Sequence, residues 1–133
     1  MDSADARFGG IARLYGKDGL AKLRAAHVAV IGVGGVGSWS AEALARSGIG
    51  KLTLVDLDEV CITNTNRQIH ALEGSINKAK VSELALRIHR INPDCTVYAR
   101  TEFFTSQTAN SILSGGFDYL IDAIDGLTNK CLL

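Results

Sequence analysis

The run from Gly32 to Ser38, GVGGVGS, sets Gly32, Gly34 and Gly37 at the spacing G-x-G-x-x-G, with Gly35 between them. Glycines so spaced permit a tight turn, close approach of backbone to a phosphate, and close packing of helix on strand. The pattern has meaning only between a strand and a helix. Here HVAVIG precedes it and a stretch rich in small residues at helical spacing follows. A helix start adds free N–H groups and the positive end of a dipole, both suited to an anion. Asp56 ends the next strand, where a carboxylate can accept from ribose hydroxyls. Together these residues predict a nucleotide site. A ligand-free tight turn would explain the glycines but not the placed acid.

Downstream residues narrow the chemistry. Asp58 follows Asp56, while Asn64, Asn66, Arg67 and Gln68 fall within CITNTNRQ. Lys80 falls on the first turn of a helix, and Asp125 follows a later strand in the sequence DAID. Hydride transfer has no need of several cations and acids beside phosphates. Splitting a triphosphate does, since Arg and Lys neutralise charge on phosphoryl oxygens and a carboxylate can hold Mg²⁺. No G-K-[ST] follows the glycines, so transfer at the α-phosphate, the adenylation of a carboxylate, fits better than γ-phosphoryl transfer. Lys78 competes with Lys80, and on a helix the two point about 200° apart. The competing readings are an NAD-binding oxidoreductase and a non-catalytic subunit that kept the fold. Arg67, Lys80 and Asp125 argue against the latter.

Periodicity supplies the elements that must position these groups. Strands are expected at residues 27–32, 51–56, 95–100 and 117–122, and helices at 38–47, 78–91 and 105–113. Their alternation predicts an α/β, doubly wound, mostly parallel Rossmann-like sheet with helices on both faces. Gly48 and Gly50 are expected to close the first of these helices in left-handed geometry. Residues 59–74 read as an extended loop. Residues 1–26 form a helical extension, with Leu20 and Leu23 burying one side against the sheet or a partner subunit. Residues 27–133 are read as an ATP-binding domain. A helix is expected to start at Thr128, so the chain reads as the N-terminal portion of a longer domain whose C-terminal part is absent.

The chain has 133 residues, enough for one domain, and its formal charge is zero. That balance excludes binding to nucleic acid by bulk electrostatics alone. The longest uncharged run, 28–41, is too short to span a membrane. Cys61, Cys95 and Cys131 lack a C-x-x-C pair and fit reduced thiols in the cytoplasm. Cys61, between Val60 and Ile62, is expected to be buried. His70 reads as a packing or hydrogen-bonded residue, and Arg87 and Arg90 as a solvated helix face.

GVGGVGS, the segment D-L-D-E-V-C-I-T-N-T-N-R-Q and Lys80 resemble the ubiquitin-activating (ThiF/MoeB-like) adenylation superfamily. Within it, R-F-G-G-I-A-R-L-Y-G at 7–16, T-N-T-N-R-Q-I-H-A-L at 63–72 and I-D-A-I-D at 121–125 resemble the tRNA threonylcarbamoyladenosine dehydratases. The resemblance implies ATP and Mg²⁺ as cofactors. It implies adenylation of the threonylcarbamoyl carboxylate of N6-threonylcarbamoyladenosine in tRNA, then cyclising dehydration with release of AMP and pyrophosphate. By the same carry-over the glycine turn would hold phosphates and Asp56 the ribose. Asn64, Arg67 and Lys80 would contact the triphosphate, Gln68 would support them, and Asp125 would ligate Mg²⁺. The resemblance also implies a homodimer. The second enzymatic reading activates the C-terminal Gly of a sulfur-carrier protein, which would then be a partner. Superfamily adenylyltransferases often carry R-x-x-R-Q near the N-terminus, with the second Arg reaching into the neighbouring subunit. Gly10 stands at that place here, and the nearest arginines are Arg7 and Arg13.

Overall fold

In the computed structural model, residues 3–126 and 131–133 are described. Four strands form one parallel sheet in the order β3-β2-β1-β4: β1 His27–Ile31, β2 Lys51–Val55, β3 Thr96–Arg100 and β4 Tyr119–Asp122. The β-branched run of β1 and the apolar residues of β2 take the two central places, where both faces are covered. β3 and β4, with Tyr98 and Tyr119 exposed, are the edges. The sheet is doubly wound as expected. Val30, Leu52 and Leu54 pack beneath α3 (Gly37–Arg46) and α4 (Lys80–Ile91), while Ala29, Ile31 and Val55 pack with Ile112 of α5 (Ala109–Leu113) on the opposite face. Ala41 and Ala45 are fully buried, so small side chains let α3 lie close on the sheet.

Register determines where chemistry can occur. Ile31 pairs with Val55 and with Asp122, and Val55 pairs with Arg100. The ladder continues one step further through Gly32 N–H to Val55 O at 2.8 Å and Ala123 N–H to Ile31 O at 2.9 Å. Gly32, Asp56 and Ala123 therefore emerge side by side at the carboxyl edge. Because the chain moves outward through β2 and β3 and then returns to β4 beside β1, a crevice opens between β1 and β4. That is the switch point at which open sheets bind ligands.

The N-terminal region comprises α1 (Ser3–Arg7) and α2 (Gly9–Ala25), the latter interrupted at Gly16, where φ is 79°. It docks on its own chain. Leu20 is buried with Phe8 against Gly48, the Gly50 N–H donates to Leu23 O, and Arg7 Nη1 donates to Ile91 O. Arg13 is exposed.

Four sequence expectations are corrected. Gly48 ends α3 with φ of 88°, but Gly50 does not take up that conformation; its Cβ would overlap the Arg24 carbonyl, so close approach is what requires glycine there. α5 begins at Ala109, because residues 106–108 form a turn before it and the Thr108 hydroxyl caps the Thr105 N–H. Cys61 is exposed, since it precedes a 3-10 helix (Ile62–Asn66) on the surface, and the Thr63 hydroxyl bonded to its sulfur lowers its pKa. Arg87 is no solvated bystander, because Glu42 of α3 is buried beneath it. The helix expected from Thr128 begins within 127–130, outside the described residues.

Arg87 Nε and Nη2 grip the two Glu42 oxygens at 2.7 and 3.1 Å, and Arg46 Nε adds a bond of 2.9 Å. Burial alone would raise the Glu42 pKa, but the hydrogen bonds from Arg87 and then Arg46 overcome it and hold the carboxyl below its ordinary value. A carboxyl with a depressed folded pKa stabilises the fold above its unfolded pKa and loses that stabilisation in acid. Arg87→Ala should therefore cost about 2 kcal/mol at neutral pH, less than loss of a sole partner because Arg46 remains. The deficit in Tm should shrink as pH falls below 4.5, the ordinary value for this group. Thermal melts from pH 7 to pH 3 measure both; a deficit that grows in acid would refute the assignment.

Candidate active site

The three glycines of the G-x-G-x-x-G turn serve different ends. Gly32 has φ of 90°, and a Cβ there would stand 2.7 Å from the Ala123 carbonyl oxygen. A Cβ on Gly37 would overlap the Gly32 carbonyl. Both glycines are demanded by the fold. Gly34 is not: a Cβ there would meet only the Gln68 side chain, at 3.5 Å, and would project into the cleft. Gly35 likewise faces the Arg67 methylenes at 3.6 Å. Beyond the turn, α3 begins without a side-chain cap, and its Ser38 and Ser40 N–H groups donate to Gly34 O and Val36 O.

A cleft of about 730 Å³ opens here, within the usual range for small-molecule sites. It gathers Gly32, Gly34, Gly35, Asp56, Asp58, Asn64, Arg67, Gln68, Lys80 and Asp125. Of the residues singled out from sequence for this site, Gly37 lies buried behind the wall, and Asn66 and Lys78 are not on it.

Asp56 has a role that sequence reasoning missed. One of its carboxylate oxygens accepts from the Val33 N–H at 3.0 Å and the other from the Asp58 N–H at 2.8 Å. The residue expected to meet a ribose thus also ties β2 to the glycine turn, with lone pairs remaining on each oxygen. Asn64 is buried and accepts from the Cys61 N–H at 2.8 Å, so it shapes the loop that carries its neighbours. Arg67 is exposed, and Thr63 O and Asn66 Oδ1, both neutral, hold its guanidinium. Gln68 is buried with Oε1 lacking a hydrogen-bond partner, an unmet acceptor facing the cleft wall.

The two lysines separate cleanly. Lys78 is exposed and off the cleft, whereas the Lys80 side chain is 8% exposed and lies on its wall. An isolated bridge between Glu59 and Ala79, with the Lys80 N–H donating to Asp58 O at 3.0 Å, sets this orientation. Lys80 Nζ lies 3.8 Å from Asp58 Oδ2, a charge contact too long for a hydrogen bond. Asp125 lies exposed at the cleft edge. Among the described residues no three His, Cys, Asp or Glu side chains cluster to hold a metal ion. A divalent cation here would have to share its ligands with a bound anion, which is how Mg²⁺ usually sits beside phosphates.

Two features were not foreseen. Residues 102–105 after β3 complete the wall, with Phe104 buried and Phe103 exposed, an apolar surface fit for a flat ring. Their place at the carboxyl end of a parallel strand was the available signal. Trp39 of α3 donates its indole N–H to the Arg67 carbonyl at 2.8 Å and so fastens the arginine loop to the helix. No local pattern announces that pairing.

The model of the ThiF family matches residues 9–133. Over all 133 residues the chain is 52% identical to the tRNA threonylcarbamoyladenosine dehydratase of Haemophilus influenzae, covering 51% of that protein. The crystal structure of the E. coli tRNA N6-threonylcarbamoyladenosine dehydratase in complex with ATP superposes with a TM-score of 0.98 at 51% identity, over the whole of this chain and 55% of that one. More distantly, the chain is 33% identical over 119 residues to the adenylyltransferase and sulfurtransferase MOCS3 of Drosophila yakuba, covering 90% of this chain and 26% of that protein. The chain spans about half the length of the dehydratases it matches.

The glycines yield a prediction independent of any ligand. Gly37→Ala should lower stability by about 3 kcal/mol or more, as overpacking against fixed backbone does. Gly34→Val, with open cleft before it, should cost about 1 kcal/mol. Urea titrations compare them, and equal losses would mean that the division of labour is wrong.

Proposed function

The chain belongs to the ThiF family, and from that premise we propose that it carries the ATP site of a tRNA threonylcarbamoyladenosine dehydratase. The observation that carries this reading is Lys80. A buried ammonium is costly unless an anion meets it, and its ion-pair partner among the described residues, Asp58, is exposed and 3.8 Å away. A triphosphate in the cleft supplies that anion. Arg67 at the mouth and the N–H groups of the glycine turn add to the same field. The apolar wall at Phe103 and Phe104 suits an adenine, and Asp56 the ribose. Both dehydratase relatives support the choice of acceptor.

In this proposal a carboxylate oxygen of the threonylcarbamoyl group attacks the α-phosphorus, and the bond to pyrophosphate breaks. Lys80 and Arg67 stabilise the charge that grows on the phosphoryl oxygens. An amide nitrogen of the same substituent then attacks the activated carbonyl and AMP leaves, closing a ring with the advantage of proximity. No enzyme thiol takes part. Mg²⁺, held by Asp125 together with phosphate oxygens and water, would neutralise the leaving pyrophosphate. The protein would work in the cytoplasm on its tRNA, with residues 1–26 as an extension to the ATP-binding domain. A homodimer is part of the proposal, and exposed Leu14 and Tyr15 on α2 offer an apolar face for the second copy.

The test uses full-length protein and ATP–pyrophosphate exchange with two acceptors. Exchange supported by tRNA bearing N6-threonylcarbamoyladenosine, and not by a small sulfur-carrier protein, is expected; the reverse would move the chain to the alternative acceptor. Tight NAD binding without ATP binding would overturn both. Lys80→Ala and Arg67→Ala should each slow adenylation about 100-fold, on the order of 3 kcal/mol, with a smaller effect on ATP affinity. Lys78→Ala should be nearly silent, and a silent Lys80→Ala would remove the basis of the mechanism. Asp125→Asn should raise the Mg²⁺ concentration needed for half-maximal exchange, since an amide is a weaker ligand for a hard cation.

A further inference from the structure

His70 lies outside the cleft and has no part in the chemistry above. It is 2% exposed, and its Nε2 lies 2.7 Å from the Val33 carbonyl oxygen. A carbonyl only accepts, so the bonded nitrogen carries the proton and Nδ1 is bare. Nδ1 is buried with no hydrogen-bond partner among the described residues. Burial pushes the His70 pKa down, consistent with a neutral ring. A side chain present only to fill the core would do better without that orphaned nitrogen. The single bond to Val33 is what an imidazole supplies here and a leucine would not.

The consequence follows from peptide geometry. The described residues contain no cis peptide bonds, and in a trans peptide the C=O and the following N–H point in opposite directions. With the Val33 carbonyl turned inward to His70, the Gly34 N–H faces away from the core, and Gly34 lines the cleft while Val33 is fully buried. The next peptide repeats the arrangement. Gly34 O accepts from the Ser38 N–H at 3.1 Å and from the Ser38 hydroxyl, which turns the Gly35 N–H outward. The Ile69 N–H in turn donates to Ser38 Oγ at 3.4 Å, so residues 68–70 brace the back of the turn. Successive outward N–H groups make an anion-binding concavity.

We propose that His70 is a positioning residue of the phosphate site, holding the Val33 carbonyl inward so that the Gly34 N–H is presented to a phosphate. This rests on the reading that the cleft holds ATP. In the full-length protein, dissociation constants for ATP and for adenosine are measured for wild type, His70→Leu and His70→Gln. Leucine removes the donor, and the glutamine amide keeps one at similar reach. His70→Leu should weaken ATP about tenfold or more and adenosine by less than about twofold, as expected for a carbonyl left unpaired and free to turn. His70→Gln should return ATP affinity to within about threefold of wild type. Equal losses for both ligands, or no loss, would mean that His70 only packs. Wild-type protein that fails to bind ATP would overturn the proposed function and this inference together, whereas normal wild-type binding with an unaffected His70→Leu overturns this one alone. Should His70→Leu fail to fold, imidazole ¹⁵N shifts of the wild type decide: a proton on Nε2 is expected, and one on Nδ1 refutes the geometry.

Discussion

The carbonyl oxygen of Gly32 stands where a Cβ on residue 37 would have to be, and the carboxyl end of the sheet is arranged around that crowding. With φ of 90° at Gly32, the chain leaves β1 and enters α3 within a few residues, which brings a helix N-terminus directly over the strand end. Several groups in and behind the cleft are then held to this turn. Asp56 takes its Val33 N–H, His70 its Val33 carbonyl, Ser38 its Gly34 carbonyl, and the Arg67 methylenes rest beside Gly35. Few of these bonds are local in sequence. Besides its own helix, the turn is braced by the end of β2 and by residues 67–70.

Charge is distributed by the same logic. On the α3–α4 face, buried Glu42 is met by two arginines at distances between 2.7 and 3.1 Å, so that ion cluster is complete in itself. At the start of the same α4, Lys80 is equally buried, but its carboxylate partner stands at 3.8 Å. A buried charge fully compensated by protein supports a fold; one left partly uncompensated in a cleft invites an anion. The carboxylate is compensated within the fold, whereas the ammonium is the group on which the proposed ATP site rests.

The N-terminal extension was expected to pack on the sheet or on a partner subunit, and it packs on its own chain: Phe8 and Leu20 close over Gly48, and Arg7 caps the carboxyl end of α4. What remains open to a second copy is the face bearing Leu14 and Tyr15. Arg7, bonded to Ile91 O, is committed to its own chain in this structure, while Arg13 is exposed.

Most of the architecture was legible in sequence because it depends on local pattern. The unbroken apolar run of β1, the 3.6-residue period of α4 and the glycines after α3 and α5 name their elements from within a few residues. The site was legible where backbone geometry demands a residue type, as at Gly32 and Gly37, or where an acid ends a strand, as at Asp56. What sequence could not decide were matters of distance between remote segments. Whether Lys78 or Lys80 enters the cleft turns on the Glu59–Ala79 bridge. Exposure of Cys61, the grip of Arg87 on Glu42, the Trp39 bond to the Arg67 loop and the Val33–His70 bond all join residues that pattern alone leaves unrelated. Local propensity is written in neighbours along the chain, whereas burial and hydrogen-bond partnership exist only once distant segments have been packed together.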